Sequence, residues 1–318
     1  MKTKNRAAAI LFILAAAFFM ALQSCFVRLA GDLPAMQKCF VRNIVTSIFA
    51  FVILKRSGVS CRISKKALPL YLARSVCGVI GILGSFYTID RMLLADATIL
   101  NKLSPFFAII CSLVFLGAYM YAAMNMQNYL MALLQSSAQF AGSVEAYAFP
   151  AYALGVAAAF LGAVLVVKPG FSSSSEWFPA MIGVLGGLGA GAAYTIVRML
   201  GQRGEPGSLI VFFFAVFSSV VCLPSMIFDY HPMTAYQTAM LVLGGLSAMA
   251  GQFALTAAYT RAPAREISVY DYTQVLFSAL FGFFLFGQIP DALSVVGYIV
   301  ICGASVALFV YNRRNAAK

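Results

Sequence analysis

Three charged side chains lie deep inside long apolar runs of the sequence, away from the helix ends, where a charge is unfavourable without a partner: Arg42, Lys102 and Asp271. Arg42 comes eight residues after Pro34, about 12 Å into its helix, and Lys102 comes eight residues after Leu94. Because neither base reaches water easily and one acid cannot neutralise both, we expect a cavity with a net positive charge. Such a cavity favours a substrate that bears a carboxylate or another anionic group. The alternative is that one base pairs with Asp271 and the other with backbone carbonyls.

Polar and aromatic side chains near these charges complete a candidate substrate site. The two bases would bind the carboxylate, the acid would bind a cationic group or carry a coupling proton, and tyrosines would form the walls. A tyrosine at the lipid headgroup layer is equally ordinary. The sequence therefore does not decide whether each tyrosine lines the site or lies at the membrane interface. The candidate substrate-binding residues are Arg42, Asn43, Tyr87, Asn101, Lys102, Ser104, Tyr194, Tyr270, Asp271, Tyr272 and Gln274.

Three other residues in the apolar runs have structural interpretations. Lys38 and Arg74 lie near helix ends, so we expect both side chains to extend towards water. Pro105 has no backbone N–H, and we expect it to kink its helix and free a carbonyl near Asn101.

The sequence offers no catalytic or metal-binding constellation. It has one histidine, His231, and seven scattered cysteines with no Cys-x-x-Cys pair. It has no Gly-x-x-x-x-Gly-Lys-Ser/Thr loop, and the glycines of residues 183–194 lie in an apolar run, where they indicate close helix packing. We therefore predict no enzyme activity, no cofactor and no metal.

Composition places the chain in a lipid bilayer. Hydrophobic residues make up 62% of the sequence and charged residues 10%, whereas soluble domains carry about 25% charged residues. The net charge of +12 comes from residues between apolar runs, without interleaved aromatics, so nucleic acid is not an expected partner. Only helices satisfy their backbone as separate spans in lipid, so we predict an all-α integral membrane protein. The ten predicted transmembrane helices are 7–29, 34–54, 68–88, 94–116, 148–167, 178–199, 207–228, 235–258, 266–287 and 292–311.

The distribution of lysine and arginine predicts the orientation. With the N-terminus inside, fifteen of these residues fall on the cytoplasmic side and three on the outer side. We expect a multi-pass protein of the cytoplasmic membrane with both termini in the cytoplasm.

The two halves of the sequence align at an offset of 170 residues. Arg91 falls on Arg261, Asn101 on Asp271, and residues 1–170 and 171–318 form two related five-span units. Because five is odd, the two units must have opposite orientations in the membrane. Inverted repeats of this kind are typical of secondary transporters, whose substrate site lies near the midplane between the repeats.

The first unit carries an insertion at residues 118–147. The segment has no lysine or arginine, and its amides follow helical spacing, so we expect a helix at the cytoplasmic interface or an extension of the fourth span. A regulatory or oligomer contact is one interpretation and an idiosyncratic insertion the other. The sequence does not predict an oligomeric state.

Several motifs carry a resemblance to a known family. They are Phe40-x-Arg42-Asn43, the run Asp96-Ala97-Thr98 with Ser104-Pro105, and the run from Glu266 to Gln274. They resemble the drug/metabolite transporter superfamily with paired EamA-type domains, and the last run is similar to S-adenosylmethionine-uptake-type bacterial members. The resemblance implies a central cavity, alternating access and small-metabolite cargo. It also implies glutamates after the fourth and ninth spans, where this chain has Ala118 and Gln288. If such a glutamate seals a helix end, the seal of the first half is in question, and if it takes part in coupling, the activity itself is in question.

The leading hypothesis is a secondary-active or facilitative transporter of a small polar metabolite, such as an amino acid or an S-adenosylmethionine-like zwitterion, working by alternating access. One alternative is an exporter of drugs or metabolites in the same superfamily. The alternative from another class is a non-transporting membrane assembly or sensor protein that uses the insertion as its contact surface.

Overall fold

The computed structural model describes residues 2–58, 63–104, 106–108, 110–111, 144–167, 177–261 and 269–315. No β-strand occurs among these residues, which confirms the all-α prediction. Pro105, the residue at position 118 and most of the 118–147 insertion lie outside them. The main helices are α1 (Lys2–Leu29), α2 (Ala35–Arg56), α3 (Leu68–Arg91), α4 (Leu94–Asn101), α5 (Val144–Val167), α6 (Trp177–Gln202), α7 (Gly207–Phe228), α8 (Ala235–Arg261), α9 (Thr273–Phe286) and α10 (Ala292–Asn315).

Eight helical segments of the described chain are long and apolar enough to cross a bilayer. They fall in α1, α2, α3, α6, α7, α8, α9 with the residues just before it, and α10. The other two predicted spans, 94–116 and 148–167, are described in part: α4 ends at Asn101, and the apolar segment at the fifth span is Leu154–Val166. The chain is therefore an integral membrane protein.

The helices pack in pairs that form a regular pattern. Six of the pairs form three sets of corresponding contacts. The contact of α1 with α8 corresponds to that of α3 with α6, the contact of α2 with α8 to that of α3 with α7, and the contact of α1 with α9 to that of α4 with α6. Three further pairs are α2 with α7, α4 with α9, and α5 with α10. If α1 is exchanged with α6, α2 with α7, and so on to α5 with α10, the same set of packed pairs results.

Polar contacts tie several helix ends into one end of the bundle, which we call the Lys38 end. Lys38 at the start of α2 pairs with Asp90 near the end of α3, with Nζ 2.7 Å from Oδ1. Gln37 donates through Nε2 to the His231 carbonyl at 2.7 Å and accepts from the His231 N–H at 3.0 Å. Arg28 at the end of α1 donates to the Met92 carbonyl at 2.7 Å.

The opposite end is marked by a contact between α3 and the α6–α7 turn, and we call it the Glu205 end. The Tyr71 hydroxyl lies 2.9 Å from Glu205 Oε2. Helices α1, α3, α7 and α9 run towards the Lys38 end, whereas α2, α4, α6, α8 and α10 run away from it. The helices related by the pairing pattern, such as α1 and α6, thus point in opposite directions.

Glycines on α6 let its backbone approach the backbone of α4. A Cβ atom at Gly187 would lie 2.9 Å from the Leu100 carbonyl, and one at Gly191 would lie 2.5 Å from the Ser104 carbonyl. These approaches are closer than any ordinary Cβ contact. The interpretation of this glycine run as a helix-packing surface is confirmed, and the close packing places α4 beside the cavity described next.

Candidate functional site

A polar cavity lies between the helices of the two halves. Its volume is about 90 Å³, which is room for a few water molecules. Its charged lining residues, within the described chain, are three bases and one acid: Arg42, Arg74, Lys102 and Asp271. Other polar residues on its surface are Gln23, Ser24, Ser85, Thr98, Asn101, Tyr194, Gln252 and Gln274.

Lys102 and Asp271 form an ion pair across the cavity. Lys102 Nζ lies 2.5 Å from Asp271 Oδ2, and the exposed fractions of the two side chains are 7% and 4%. A buried lysine needs such a partner, because removing an unpaired charge from water costs several kcal/mol. The sequence allowed either Arg42 or Lys102 as the partner of Asp271, and in the structure the partner is Lys102.

Both helices that carry this pair are interrupted beside it. Helix α4 ends at Asn101, and Lys102 and Leu103 form a turn; on the other side, Tyr272 is a turn residue directly before α9. The Phe106 N–H donates to the Leu103 carbonyl at 3.0 Å, so it does not close a helical bond to Lys102. The Lys102 carbonyl instead accepts a hydrogen bond of 2.8 Å from the Tyr272 hydroxyl. This bond satisfies a buried backbone group at the break.

Arg42 is held on α2 by neutral amides. Its Nη1 donates to Asn43 Oδ1 at 2.7 Å, and its Nη2 donates to Gln23 Oε1 at 3.3 Å. Its exposed fraction is 1%, and its Nε has no hydrogen-bond partner among the described residues. Asn43 donates in turn to Cys39 Sγ at 3.1 Å. The positive charge of Arg42 is therefore oriented but not neutralised by these contacts.

The expectation that Arg74 extends to water is wrong. Its side chain is buried, lines the cavity and lies over the Phe214 ring of α7, with the guanidinium carbon 3.6 Å from the ring centroid. Space for it comes from Gly78, one helical turn later, where a Cβ atom would lie 2.6 Å from Arg74 Nη1. An arginine followed four residues later by a glycine is the sequence signal that could have placed it on the interior face.

The same expectation for Lys38 is also wrong. Its side chain is fully buried, with Nζ 2.7 Å from both carboxylate oxygens of Asp90. Asp90 follows the predicted third span, so its position alone did not indicate a counter-ion inside the helical bundle.

The structure brings together six of the predicted site residues. They line the cavity and are Arg42, Asn101, Lys102, Tyr194, Asp271 and Gln274.

The other five predicted residues lie elsewhere. Asn43 accepts a hydrogen bond from the Arg42 guanidinium, and the Tyr272 hydroxyl donates to the Lys102 carbonyl. Ser104 is buried with its backbone against Gly191. Two tyrosines contact residues away from the cavity. Tyr87 stacks under Arg91, with the guanidinium carbon 3.9 Å from its ring centroid, and Tyr270 lies edge-on to Phe309.

Gln288, which replaces the glutamate that the family resemblance implies, seals a helix end. Its side-chain oxygen accepts a hydrogen bond of 2.9 Å from the backbone N–H of Leu94, the first residue of α4. Just before it, Gly287 ends α9 in the left-handed conformation at φ 62°, and the Gln288 N–H donates to the Gly282 carbonyl. The amide thus caps α4 from the opposite half, whereas Ala118 lies outside the described residues.

Among the described residues, no group of three or more His, Cys, Asp or Glu side chains is placed to hold a metal ion.

The sequence is similar to known transporters over most of its length. The pseudopaline exporter CntI of Pseudomonas aeruginosa strain UCBPP-PA14 is 29% identical over 300 residues, 94% of each chain. The S-adenosylmethionine uptake transporter of Rickettsia bellii is 24% identical over 157 residues, 49% of this chain and 53% of the relative.

Two further comparisons concern the fold and the family. A crystal structure superposes with a TM-score of 0.63 at 16% identity, covering 97% of this chain and 98% of the other, and so shares the fold. The model of the EamA-like transporter family matches residues 7–123 and 177–310. The resemblance inferred from the motifs is confirmed. The chain belongs to the EamA-like transporter family and is a membrane transporter of that superfamily.

Proposed function

We propose that this protein carries a small polar metabolite with a carboxylate across the cytoplasmic membrane by alternating access, as a secondary-active or facilitative carrier. The observation that carries the proposal is the charge of the cavity: three buried bases face one acid among its described lining residues. A solute with an anionic group compensates that excess, whereas a cation without a carboxylate adds to it.

The architecture behind the proposal is two inverted five-helix repeats, residues 1–170 and 171–318, with ten transmembrane helices. Three features support it: the paired helix contacts, the opposite directions of corresponding helices, and the contact of Tyr272 with Lys102. Those two residues are 170 positions apart, the offset of the sequence repeat, as expected where corresponding helices cross on a pseudo-twofold axis.

In the membrane, the Lys38 end faces outwards and both termini are cytoplasmic. The excess of lysine and arginine in segments at the opposite end supports this orientation.

The substrate site comprises the six predicted residues that line the cavity, together with Arg74. Asn43 orients Arg42, and Tyr272 holds the Lys102 backbone at the break in α4. Arg42 binds the substrate carboxylate. Asp271 binds a cationic group of the substrate or carries a coupling proton once Lys102 has moved away. Release of the ion pair is thus the event that links occupancy of the site to movement of the helices.

The size of the cavity supports an alternating mechanism. Binding sites for small metabolites measure about 300–1,000 Å³. The cavity volume of about 90 Å³ corresponds to a contracted site that must widen to admit its solute. The polar ties at the Lys38 end close one route to it.

Export is the favoured direction. The relative aligned over 94% of both chains is an exporter, whereas the uptake transporter aligns over about half of each chain. In that direction, the substrate enters the cationic cavity from the cytoplasmic side.

The experiment is a flux screen with purified protein in liposomes. Vesicles are loaded with amino acids, dicarboxylates, S-adenosylmethionine or organic cations that lack a carboxylate, with and without a pH gradient. We expect efflux of carboxylate-bearing solutes above the rate of empty liposomes, and a pH-gradient effect if a proton is coupled. Flux of carboxylate-free cations alone would reject the charge assignment. Absence of flux for every solute, with partner binding lost on removal of residues 118–144, would favour the assembly or sensor hypothesis.

A further inference from the structure

Two of the three bases in the cavity have no carboxylate partner in the described chain. Lys102 is neutralised by Asp271, whereas neither Arg42 nor Arg74 forms an ion pair with a described acid. The positive charge of the lining residues that no described acid neutralises therefore lies on two guanidinium groups, one on α2 and one on α3.

Two N–H-bearing nitrogens of Arg74 have no acceptor among the described residues. Its exposed fraction is 4%, and its Nε and Nη1 have no hydrogen-bond partner among the described residues. Buried N–H groups are nearly always paired, so an unpaired pair of donors on one charged side chain at a cavity indicates a missing acceptor. The Phe214 ring lies against the face of the guanidinium and fixes its plane without using a donor.

Arg42 is oriented separately. Gln23 and Asn43 occupy its two terminal nitrogens, and its Nε has no described partner. Each guanidinium is thus fixed by its own neighbours, and like charges in a weakly screened interior repel each other until anions reach both.

From these observations we infer that the substrate carries two anionic groups, one for Arg42 and one for Arg74. We assign these groups as two carboxylates, because the free donors are divided between side chains on different helices. This inference rests on the proposed function and narrows it to a dicarboxylate class. It also makes Arg74, rather than Lys102, the second carboxylate-binding base.

The test compares ligands that differ by one carboxylate at nearly constant shape. Glutamate is paired with glutamine, and succinate with succinamate; binding is measured by thermal stabilisation of the detergent-solubilised full chain. A charge-assisted hydrogen bond corresponds to about a tenfold change in affinity or more. We expect the wild-type protein to bind at least one dicarboxylate about tenfold more tightly than its amide.

Variants at Arg74 separate a binding role from a structural one. Arg74→Gln should bring the dicarboxylate-to-amide ratio close to one while the affinity for the amide stays within about twofold, and Arg74→Lys should retain part of the preference. Arg91→Gln, which removes an exposed arginine from the end of the same helix, is the matched control and should keep the wild-type ratio. Because the readout is a ratio between two ligands, a general loss of stability does not imitate it.

Three results would overturn the inference. These are no dicarboxylate preference in either ligand pair, a wild-type ratio in Arg74→Gln, or inorganic phosphate stabilising the protein as strongly as the better dicarboxylate. The last would mean that one compact dianion serves both arginines. If liposomes still transport monocarboxylates in any of these cases, the proposed function stands and only the dicarboxylate class is rejected. Absence of all flux would reject the proposed function itself.

Discussion

Lys102 Nζ and Asp271 Oδ2 lie 2.5 Å apart inside the cavity, on two helices that are both interrupted next to these residues. The pair joins the two halves of the chain at their centre. Because both side chains are buried, each depends on the other for its charge to be tolerated.

Replacing Asp271 by Asn should destabilise the protein strongly. Lys102 would be left as an unpaired buried charge, which costs about 3–5 kcal/mol in comparable sites. The measurement is the thermal unfolding midpoint in detergent, with transport assayed in parallel. The double variant Lys102→Gln with Asp271→Asn should recover most of the stability but not the transport. A single variant as stable as the wild type would contradict the assigned pairing.

Tyr272→Phe should weaken the junction between α4 and α9. The substitution keeps the ring but removes the hydroxyl that donates to the Lys102 carbonyl. A buried carbonyl left without its donor costs about 1–3 kcal/mol. Tyr236→Phe, at an exposed tyrosine, is the control and should have no measurable effect on the unfolding midpoint. Equal midpoints for the two variants would show that the hydroxyl contributes nothing at the break.

A pair of alanine substitutions on α6 tests the close packing of its glycines. A Cβ atom at Gly191 would collide with the Ser104 carbonyl at 2.5 Å, whereas one at Gly201 has no atom within 4 Å. Gly191→Ala should destabilise by about 1–3 kcal/mol. Gly201→Ala should be neutral or stabilising by up to about 1 kcal/mol, because alanine favours helix. The reverse order of unfolding midpoints would contradict the packing of α6 on α4.

Asp90→Asn should loosen the Lys38 end. The substitution breaks the pair between α2 and α3, so conformations open at that end should become more populated. The opening is measured with a Ser24→Cys substitution on the cavity wall, through the rate at which a membrane-impermeant thiol reagent reacts with the new thiol. The reaction rate of the same protein without Ser24→Cys is subtracted. We expect about a tenfold faster reaction, corresponding to about 1.4 kcal/mol.

The matched control for that variant is Asp229→Asn, which removes a largely exposed acid from the same end of the bundle. It should leave the reaction rate unchanged. Equal rates for both variants would mean that the Lys38–Asp90 pair does not hold the end closed.

The sequence predicted the features that depend on local pattern. Apolar runs of span length predicted the eight span-length helical segments of the described chain, and the depth of Arg42 and Lys102 in their runs predicted buried bases around Asp271. The 170-residue offset brought Lys102 and Tyr272 to matching positions, and the structure has them in contact.

Features that depend on which helices meet could not be read from one span at a time. Arg74 lies near a helix start; Gly78 on the same helix leaves space for its side chain, but the Phe214 ring on which the guanidinium lies belongs to α7. Asp90 acts on Lys38 across a helix boundary, 52 positions away. The capping of α4 by Gln288 likewise needs the opposite half of the chain.

The central claim is that the cationic cavity carries a carboxylate-bearing solute through the membrane. Its most direct test is the efflux rate of the best carboxylate substrate from liposomes that contain the wild-type protein, Arg42→Gln or the control Arg91→Gln. We predict that Arg42→Gln inserts and folds yet lowers the rate to that of empty liposomes, whereas Arg91→Gln keeps the wild-type rate. A wild-type rate in Arg42→Gln would contradict the account.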